Sequence, residues 1–392
     1  MKNLLIKTRN GFIKFGYKTF LKPIFFKLDP EDVHDHMTKI GKALGRFGIG
    51  RSITKAMFYY SDPSLGQYIH GINFANPVGL AAGFDKNAEL TRILPEVGFG
   101  FEEVGSITGE HCAGNPKPRL WRLKKTQGLV VYYGLKNDGC EKISARLADQ
   151  IKKHPFKFPV GISIAKTNNE QTCETEAGIK DYVKAFKHFT HIGDYITINI
   201  SCPNAFGGEP FTEPHKLEAL LAETDKIPYN KPIFLKISPD LNKEQLDQIL
   251  HIISKHKVDG LLCANLTKNR ENAKIHKEDK MPAVGGISGK AQGELSNEQI
   301  RYVYKKWKKM MSDGTNSHKR DLTIIGCGGI FTAEDAYKKI KAGASLLQMI
   351  TGMIFEGPQA ISSINMGLVK LLKKDGYKNI SEAVGKEHDL KD

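Results

Sequence analysis

Eight short apolar runs, spaced along the chain from residue 77 onward, constrain the fold more than any other feature of the sequence. A nearly continuous apolar run predicts a strand that is buried on both faces, as the strands of parallel sheets are. Longer amphipathic stretches such as "NKEQLDQILHIISKHK" separate most of the runs and predict helices. Eight β-α units in succession predict an α/β fold, a (β/α)8 TIM barrel, with a doubly wound open sheet as the alternative. The predicted strands are 77–83, 101–107, 159–165, 195–201, 233–238, 260–265, 323–329 and 345–352.

The charge balance and the cysteines narrow the class of protein. Among 392 residues, 58 Lys and Arg stand against 43 Asp and Glu, a formal charge of +15. This excess favours anionic partners, or simply provides a lysine-rich, solubilising surface. The six cysteines include no CxxC pair, so we expect a reducing environment, no structural disulfide and no metal site. Aromatic and basic residues do not interleave as nucleic-acid surfaces require, so we expect no nucleic-acid partner.

The chain before the barrel predicts a small helical appendage that ends near residue 65. A helix over 29–45 begins with Asp29 as its cap and carries one apolar stripe. The preceding segment is basic and rich in Phe, Ile and Leu, and Pro23 is expected to end or kink the helix that it predicts. No apolar run of about 18 residues occurs, so we expect no transmembrane helix. A basic amphipathic helix suits a membrane interface, and packing against the protein's own body is the alternative.

Glycines cluster where the last two predicted strands end. The seventh strand ends in "GCGGI" (326–330), and the eighth in "MITG" (349–352). Glycine lets backbone amides approach an anion closely, and in barrels the loops after strands 7 and 8 commonly bind phosphate. The loop "GGISG" (285–289) is expected to close over the same phosphate, while simple tight turns are the alternative.

Two lysines are predicted to reach the mouth of the barrel from opposite sides. Lys86 follows the first strand in "GLAAGFDKNAE", and Lys236 interrupts the otherwise apolar fifth strand. A lysine in a buried strand seldom lacks a partner. Together they indicate an anionic, electron-accepting ring between them; a surface charge for Lys86 and a paired core lysine for Lys236 are the alternatives.

Three amides and a thiol are expected at the same mouth. Asn199, Asn204 and Asn265 follow the fourth and sixth strands, and amides both donate and accept hydrogen bonds. They therefore suit a ring with both N–H and C=O groups, such as a pyrimidine. Cys202 lies among them in "NISCPN". We expect neighbouring lysines to lower the pKa of its thiol from about 8.5, so that it acts as a base or a nucleophile. An inert buried cysteine is the alternative.

These residues resemble the dihydroorotate dehydrogenase family, flavin enzymes of pyrimidine synthesis. The similarity extends over about residues 20–370. In addition, "FKLDPEDVHDHM" resembles the membrane-associated, quinone-using class, whose N-terminal helices form an apolar tunnel to the flavin. The motifs that carry the resemblance are "NPVGLAAGFDKNAE", "GNPKPRLWRL", "NISCPN", "LKISPDL", "GGISGKA", "IIGCGGI" and "AGASLLQMITGMIFEGP".

The resemblance implies FMN-dependent oxidation of (S)-dihydroorotate to orotate in UMP synthesis, with electrons passed to a quinone. It implies that Cys202 is the base that takes the C5 proton. Substrate contacts carried over from the family are Lys86, Asn199, Asn204 and Asn265. His34 and Arg122 match positions of the quinone site. Cofactor positions are Ala82, Gly83, Ser106, Ser163, Asn199, Lys236, Gly289, Gly329, Ile350 and Thr351.

Several residues depart from the family pattern. The quinone class uses serine as its base, whereas cysteine at position 202 is typical of the soluble classes. Val131 replaces a substrate-binding asparagine, and Leu266 replaces a hydroxyl residue. A flavin-contacting asparagine is replaced by Ser163, and a tyrosine close to flavin and quinone by Ile350. These changes leave open a different dihydropyrimidine-like substrate, or a flavin-binding protein without turnover.

The chain is expected to divide into three segments. Residues 1–65 would form the helical membrane and quinone-tunnel segment, 66–375 the FMN-binding catalytic barrel, and 376–392 a charged C-terminal tail. We expect a peripheral protein on the cytoplasmic side of the cell membrane, in contact with the membrane through its N-terminal helices.

Overall fold

A closed barrel of eight parallel strands forms the centre of the protein in the computed structural model, which describes residues 2–271, 273–314 and 321–389. The strands are numbered along the chain in the list that follows. Around the barrel, hydrogen-bonded neighbours follow the order β10, β12, β13, β3, β4, β7, β8 and β9. The strands are β1 (Gln67–Ile69), β2 (Ile72–Phe74), β3 (Val78–Leu80), β4 (Phe101–Ile107), β5 (Leu120–Leu123), β6 (Gly128–Val131), β7 (Val160–Ile164), β8 (Tyr195–Asn199), β9 (Ile233–Ile237), β10 (Gly260–Cys263), β11 (Gly286–Gly289), β12 (Thr323–Cys327) and β13 (Leu346–Met349).

Helices surround the barrel and precede it. The segment before β1 holds the first four, and the others lie between or after the strands. They are α1 (Lys2–Gly16), α2 (Lys22–Phe25), α3 (Pro30–Arg46), α4 (Gly48–Phe58), α5 (Leu94–Val97), α6 (Cys140–Lys153), α7 (Thr175–His188), α8 (Pro214–Asp225), α9 (Lys243–Ile253), α10 (Gly293–Ser312), α11 (Ala333–Ala342), α12 (Thr351–Glu356) and α13 (Ala360–Asp375).

The predicted TIM barrel is confirmed, because each of the eight apolar runs contains one barrel strand and the sheet is closed. Most runs extend beyond their strand at the carboxyl end, since the loop residues that follow are also buried. The antiparallel sheet of β5, β6 and β11 was not predicted. The expected loop 285–289 contains β11, which pairs with β6 from far earlier in the chain, and such non-local pairing leaves no local sequence signal.

The barrel interior changes from apolar to polar toward its carboxyl end. Rings of Phe101, Tyr195 and Phe234 pack together near the amino ends of their strands. Two residues further along β4 and β8, the Glu103 carboxylate accepts a hydrogen bond of 2.8 Å from the Thr197 hydroxyl. This alternation places an apolar plug below and polar groups above, where the strands end.

The N-terminal segment is helical as predicted, and Asp29 caps α3. Its carboxylate accepts hydrogen bonds from the backbone N–H groups of Glu31 (2.9 Å) and Asp32 (3.1 Å). The helical segment does not end at Pro23 as expected. A π-helical turn over Tyr17–Leu21 connects α1 to α2, which contains Pro23. Proline has no N–H to donate to the carbonyl one turn earlier, and the wider turn accommodates that loss. Among the described residues, no helix is both long and apolar enough to cross a membrane.

A buried ion pair fixes α3 to the barrel mouth. The Arg119 guanidinium donates two hydrogen bonds, of 3.0 and 2.8 Å, to the two carboxylate oxygens of Glu31. Lys136 adds a third at 3.2 Å. Burial disfavours the charge on Glu31, but these cations outweigh it and lower its pKa to about 2. The three predicted segments remain a prediction, although Ile380 and Ala383 after α13 are fully buried.

Glu31→Gln is expected to lower the free energy of unfolding by about 3–5 kcal/mol at neutral pH, because Arg119 stays buried without its counter-charge. The pKa of Glu31 is lowered on folding, so its stabilisation is present above the ordinary value of 4.5 and disappears as the pH falls toward about 2. Urea denaturation of both proteins should therefore show a difference that shrinks across this range. A difference that does not change with pH would contradict the assignment.

The matched control is Glu89→Gln. Glu89 pairs at 2.6 Å with Lys42, whose side chain is 60% exposed, so this change should cost less than about 1 kcal/mol.

Candidate active site

A cavity of about 650 Å³ lies at the carboxyl end of the barrel and continues between the N-terminal helices. All but one of the predicted site residues line it, although they come from widely separated parts of the chain. Those that line it are His34, Ala82, Gly83, Lys86, Ser106, Arg122, Asn199, Cys202, Asn204, Lys236, Asn265, Gly289, Gly329, Ile350 and Thr351.

Ser163 is the exception, because it lies one layer behind the cavity wall. It is fully buried on β7, and its hydroxyl oxygen is 2.7 Å from that of Ser106. The Asn199 amide in turn donates a 2.9 Å hydrogen bond to Ser106. Ser163 therefore reaches the cavity through Ser106, and its predicted cofactor contact remains a prediction.

The three predicted amides meet on one side of the cavity. The Asn199 side-chain oxygen accepts hydrogen bonds from the Ser201 N–H (3.1 Å) and hydroxyl (3.0 Å). Asn265 donates a 2.6 Å hydrogen bond to the Ser201 carbonyl. Asn204 donates a 2.8 Å hydrogen bond to the Val131 carbonyl. These bonds fix the orientation of each amide before any ligand binds, which lowers the entropic cost of recognition.

An additional amide, Gln292, lines the cavity and was missed from the sequence. Its side-chain N–H donates to the Asn265 carbonyl. Gln292 precedes α10, and nothing in "SGKAQGE" marks it as a site residue. Val131 itself presents a valine side chain to the cavity. The nearby Asn115 and Asn168 bind each other at 3.0 Å outside the cavity lining, so they do not replace the missing asparagine.

Lys86 lines the cavity beside α3. Its ammonium is 3.5 Å from both ring nitrogens of His34 and 4.2 Å above the centre of the Tyr133 ring. His34 is held by a 2.8 Å hydrogen bond between its Nε2 and the Phe84 carbonyl. Burial lowers the pKa of Lys86 to about 8, and burial and Lys86 together lower the pKa of His34. This end of the cavity thus favours an anionic group beside the lysine.

The glycine loops make a cradle that only glycine permits. Gly329 has a φ of +70°, and a Cβ there would lie 2.3 Å from the Gly293 Cα. Gly289 has a φ of +88°, and its Cβ would lie 2.4 Å from the Gln127 carbonyl oxygen. The hydroxyls of Ser288 and Thr351 are 2.9 Å apart beside them. Closely approaching backbone with nearby hydroxyls fits a phosphate group.

Lys236 extends from β9 into the same cavity. It is 4% exposed, and its ammonium makes no hydrogen bond to any residue in the described part of the chain. A buried cation without a hydrogen-bond partner is costly, so the site is complete only with an anionic or strongly polar ligand. Together with the phosphate cradle, Lys236 fits the phosphate-bearing, electron-accepting ring that the sequence predicts. Across the described residues, no cluster of side chains could hold a metal ion.

The expectation that lysines lower the pKa of the Cys202 thiol is wrong. Burial dominates and raises this pKa to about 11. The Asn204 N–H and the positive charge of Lys166 favour the thiolate, but they do not offset burial, and Glu209 opposes them. Cys202 is therefore protonated at neutral pH until a further charge changes its surroundings.

The cavity's apolar branch opens to solvent between α3 and α4. Residues on both helices line the branch and are also partly exposed: Met37, Ile40, Leu44, Ile53 and Met57. Arg122 also lines the cavity, and it donates a 2.8 Å hydrogen bond to the Leu28 carbonyl. The predicted quinone-site residues His34 and Arg122 thus line the same cavity as this apolar branch.

The fold and the cavity together define a (β/α)8-barrel oxidoreductase whose cavity has an apolar branch. The family model of dihydroorotate dehydrogenase matches residues 64–372. The chain belongs to this family.

Similar proteins cover nearly the whole chain. The dihydroorotate dehydrogenase (quinone) of Trichodesmium erythraeum is 36% identical over 387 residues, or 94% of this chain and 98% of that protein. The Haloarcula marismortui protein of the same name is 35% identical over 364 residues, covering 93% and 97%. The structure of DHODH from Eimeria tenella in complex with ferulenol has a TM-score of 0.78 at 29% identity, covering 92% of this chain and 96% of that chain.

These matches confirm the predicted family, the enzyme class and the predicted activity, oxidation of dihydroorotate in pyrimidine biosynthesis with a quinone as acceptor. The family also implies a flavin cofactor.

Gly329→Ala is expected to reduce flavin retention at least about tenfold, because its Cβ would collide with backbone rather than with a movable side chain. Flavin absorbance relative to protein after gel filtration measures this. Gly376→Ala is the matched control: its φ is +82°, but no atom of the described residues lies within 4 Å of the added carbon. Equal flavin loss in both variants would show that backbone strain, and not the cradle, is responsible.

Proposed function

We propose that this chain oxidises dihydroorotate with bound FMN, and that Cys202 is the base. The observation that carries the proposal is the arrangement of one cavity. A phosphate cradle, the unpartnered Lys236, three oriented amides, Lys86 and Cys202 all line it. This combination suits a cofactor and a ring substrate side by side.

FMN would be held through its phosphate by Gly289, Gly329 and Thr351. Ala82, Gly83, Ser106 and Ile350 would border the cofactor, with Lys236 supplying positive charge and Ser163 supporting Ser106 from behind. Bound flavin supplies the acceptor for the hydride that leaves C6 of the substrate. We propose FMN, rather than another flavin, as the cofactor.

The substrate ring would be held by Asn199, Asn204 and Asn265, with its carboxylate beside Lys86. Because these amides are already oriented by Ser106, Ser201 and the Val131 carbonyl, they present fixed donors and acceptors to the ring. Lys86 remains largely protonated at neutral pH, since its pKa is about 8. The Val131 side chain offers no hydrogen bond, so one polar group of the ring would rely on water or on Gln292.

Cys202 would remove the C5 proton. Its pKa of about 11 means that the free thiolate is scarce at neutral pH but strongly basic once formed. The thiolate takes the proton and becomes a thiol, which must later release that proton to solvent. The apolar wall of the cavity limits the access of water to the thiolate during this proton transfer.

Cys202→Ala should retain the flavin but slow its bleaching by dihydroorotate at least about 100-fold, because the proton has no acceptor. Anaerobic stopped-flow absorbance is the measurement. In the wild type the rate should rise as the pH increases above neutrality, since the thiolate fraction grows toward the pKa of about 11. Flavin reduction by Cys202→Ala at the wild-type rate would remove Cys202 from the mechanism.

Anaerobic measurement of flavin bleaching also distinguishes the two alternatives that Val131 leaves open, a different ring substrate and flavin binding without turnover. Bleaching by dihydrouracil but not by dihydroorotate would assign a different ring. A flavin that no dihydropyrimidine bleaches would indicate binding without turnover.

The protein would bind peripherally to the cytoplasmic side of the cell membrane. Its N-terminal helices would deliver quinone from the membrane surface. Apolar side chains on α1 and at the start of α4 are exposed, among them Phe12 (73%), Phe15 (63%) and Ile49 (75%). Lysines lie between them along α1. Exposed aromatic residues with lysines suit the interface of an anionic bilayer, and the apolar branch opens beside them.

Phe12→Glu combined with Phe15→Glu should weaken binding to anionic vesicles at least about tenfold, because two side chains can no longer enter the interface. Vesicle co-sedimentation measures this. Tyr68→Glu is the control, since Tyr68 is equally exposed (76%) but lies at the opposite end of the barrel on β1. Equal binding by all three proteins would refute the membrane contact.

A further inference from the structure

Lys166 is a buried lysine that neither the sequence motifs nor the proposed mechanism uses. It follows β7 and is 3% exposed. Its ammonium donates hydrogen bonds to the Phe206 carbonyl (2.9 Å) and the Thr172 hydroxyl (3.4 Å). In the described ranges, no carboxylate forms a salt bridge with it. A buried cation bound only by neutral groups is costly, which indicates that its charge serves another group nearby.

The loop that carries Cys202 is clamped by the segment after β7. Lys166 binds the Phe206 carbonyl, and the Asn168 side-chain oxygen accepts a 2.5 Å hydrogen bond from the Phe206 N–H. The Phe206 side chain is 56% exposed, so burial of this side chain does not hold Phe206 in place. Both backbone groups of one residue, four positions after Cys202, are therefore fixed by two residues of a neighbouring strand end.

The segment that bears Lys166 is itself rigidly supported. The Asp181 carboxylate accepts hydrogen bonds of 2.7 Å from both the N–H and the hydroxyl of Thr167. The Ala165 N–H donates to the Ile107 carbonyl at 2.9 Å. The ammonium therefore has a defined position relative to the loop, as an electrostatic role requires.

The groups that most affect the Cys202 thiol and the Lys166 ammonium are neighbouring thiols, two carboxylates and one backbone N–H. Around Cys202 these are Lys166, which favours the thiolate, and Glu209 and the Cys112 thiol, which oppose it; the Asn204 N–H also favours it. Around Lys166 they are the thiols of Cys173, Cys202 and Cys112 and the Asp181 carboxylate. Among the described residues, Lys166 is thus the cation with the largest effect on the Cys202 thiol.

We propose that Lys166 is a positioning residue for Cys202: it fixes the loop through the Phe206 carbonyl and stabilises the thiolate by its positive charge. This rests on the proposed function, in which the thiolate takes the C5 proton of dihydroorotate while the hydride leaves C6 for the flavin. Lys166 keeps its own proton throughout, so it exchanges none with the substrate.

Alkylation of Cys202 by iodoacetamide in the flavin-loaded protein tests the charge without any turnover. Peptide mass spectrometry distinguishes Cys202 from the other cysteines. At about pH 8 the rate is proportional to the thiolate fraction. The comparison is between Lys166→Gln, which loses the charge and loosens the loop, and Asn168→Ala, which loosens the loop but keeps the charge.

We expect Lys166→Gln to be alkylated about tenfold more slowly than Asn168→Ala, with Lys166→Arg close to the wild type. Lys231→Gln is the matched control, because Lys231 also donates to a backbone carbonyl, that of Gly193, but precedes β9 at the far end of the barrel. It should leave the rate unchanged. Alkylation of Lys166→Gln as fast as that of Asn168→Ala would overturn the electrostatic role.

Flavin reduction by dihydroorotate supplies the second measurement. We expect it to slow about tenfold in Lys166→Gln, and to recover in Lys166→Arg. If Lys166→Gln fails to fold, Lys166→Met removes the charge with an unbranched side chain, and its alkylation as fast as that of Lys166→Arg would equally overturn the electrostatic role. If Cys202→Ala reduces its flavin normally, the proposed base fails, whereas the alkylation result still reports whether Lys166 controls the thiol.

Discussion

Closure of the barrel is the constraint on which the rest of the structure depends. The eighth barrel strand pairs with the first in parallel, with Leu347 beside Val78 and Met349 beside Leu80. This ladder places residues almost 270 positions apart at adjacent points of one rim. Because every strand runs in the same direction, every carboxyl end reaches the same mouth. Lys86, Asn199, Asn265 and Gly329 thereby share one cavity without any local sequence relation.

The polar groups at that mouth are arranged around backbone and side-chain partners of their own. Asn199 is fixed by Ser106 and Ser201, while Asn204 is fixed by the carbonyl of Val131. Most buried polar groups in proteins are hydrogen-bonded, and this network keeps the amides in place. Lys236 differs, because it lies in the cavity with no hydrogen-bond partner among the described residues. That contrast separates groups that the fold satisfies from a group that awaits a ligand.

The pKa values of the acids at the mouth are set by burial, which raises them, and by a few cations, which lower them. Glu31 stays ionised because Arg119 and Lys136 contact it directly, and its pKa falls to about 2. No cation among the described residues forms a hydrogen bond with Cys202, and its pKa rises to about 11. The same low-polarity surroundings thus produce opposite shifts, depending on whether a cation forms a hydrogen bond with the acid. The Glu31 pair also joins α3 to the barrel, so the apolar branch and the mouth form one continuous cavity.

The sequence by itself determined the barrel and the strand ends that form the mouth, and nearly all of the site residues that it predicted line the cavity. It could do so because strand burial and glycine placement are local, periodic signals. Only the tertiary structure decided the antiparallel sheet of β5, β6 and β11, the position of Ser163 behind Ser106, and the presence of Gln292 in the cavity. It also reversed the expected direction of the Cys202 pKa. These properties depend on which distant groups surround a side chain. The pKa of a buried group depends on the balance between its desolvation and the nearby charges, and spacing along the chain does not encode this balance.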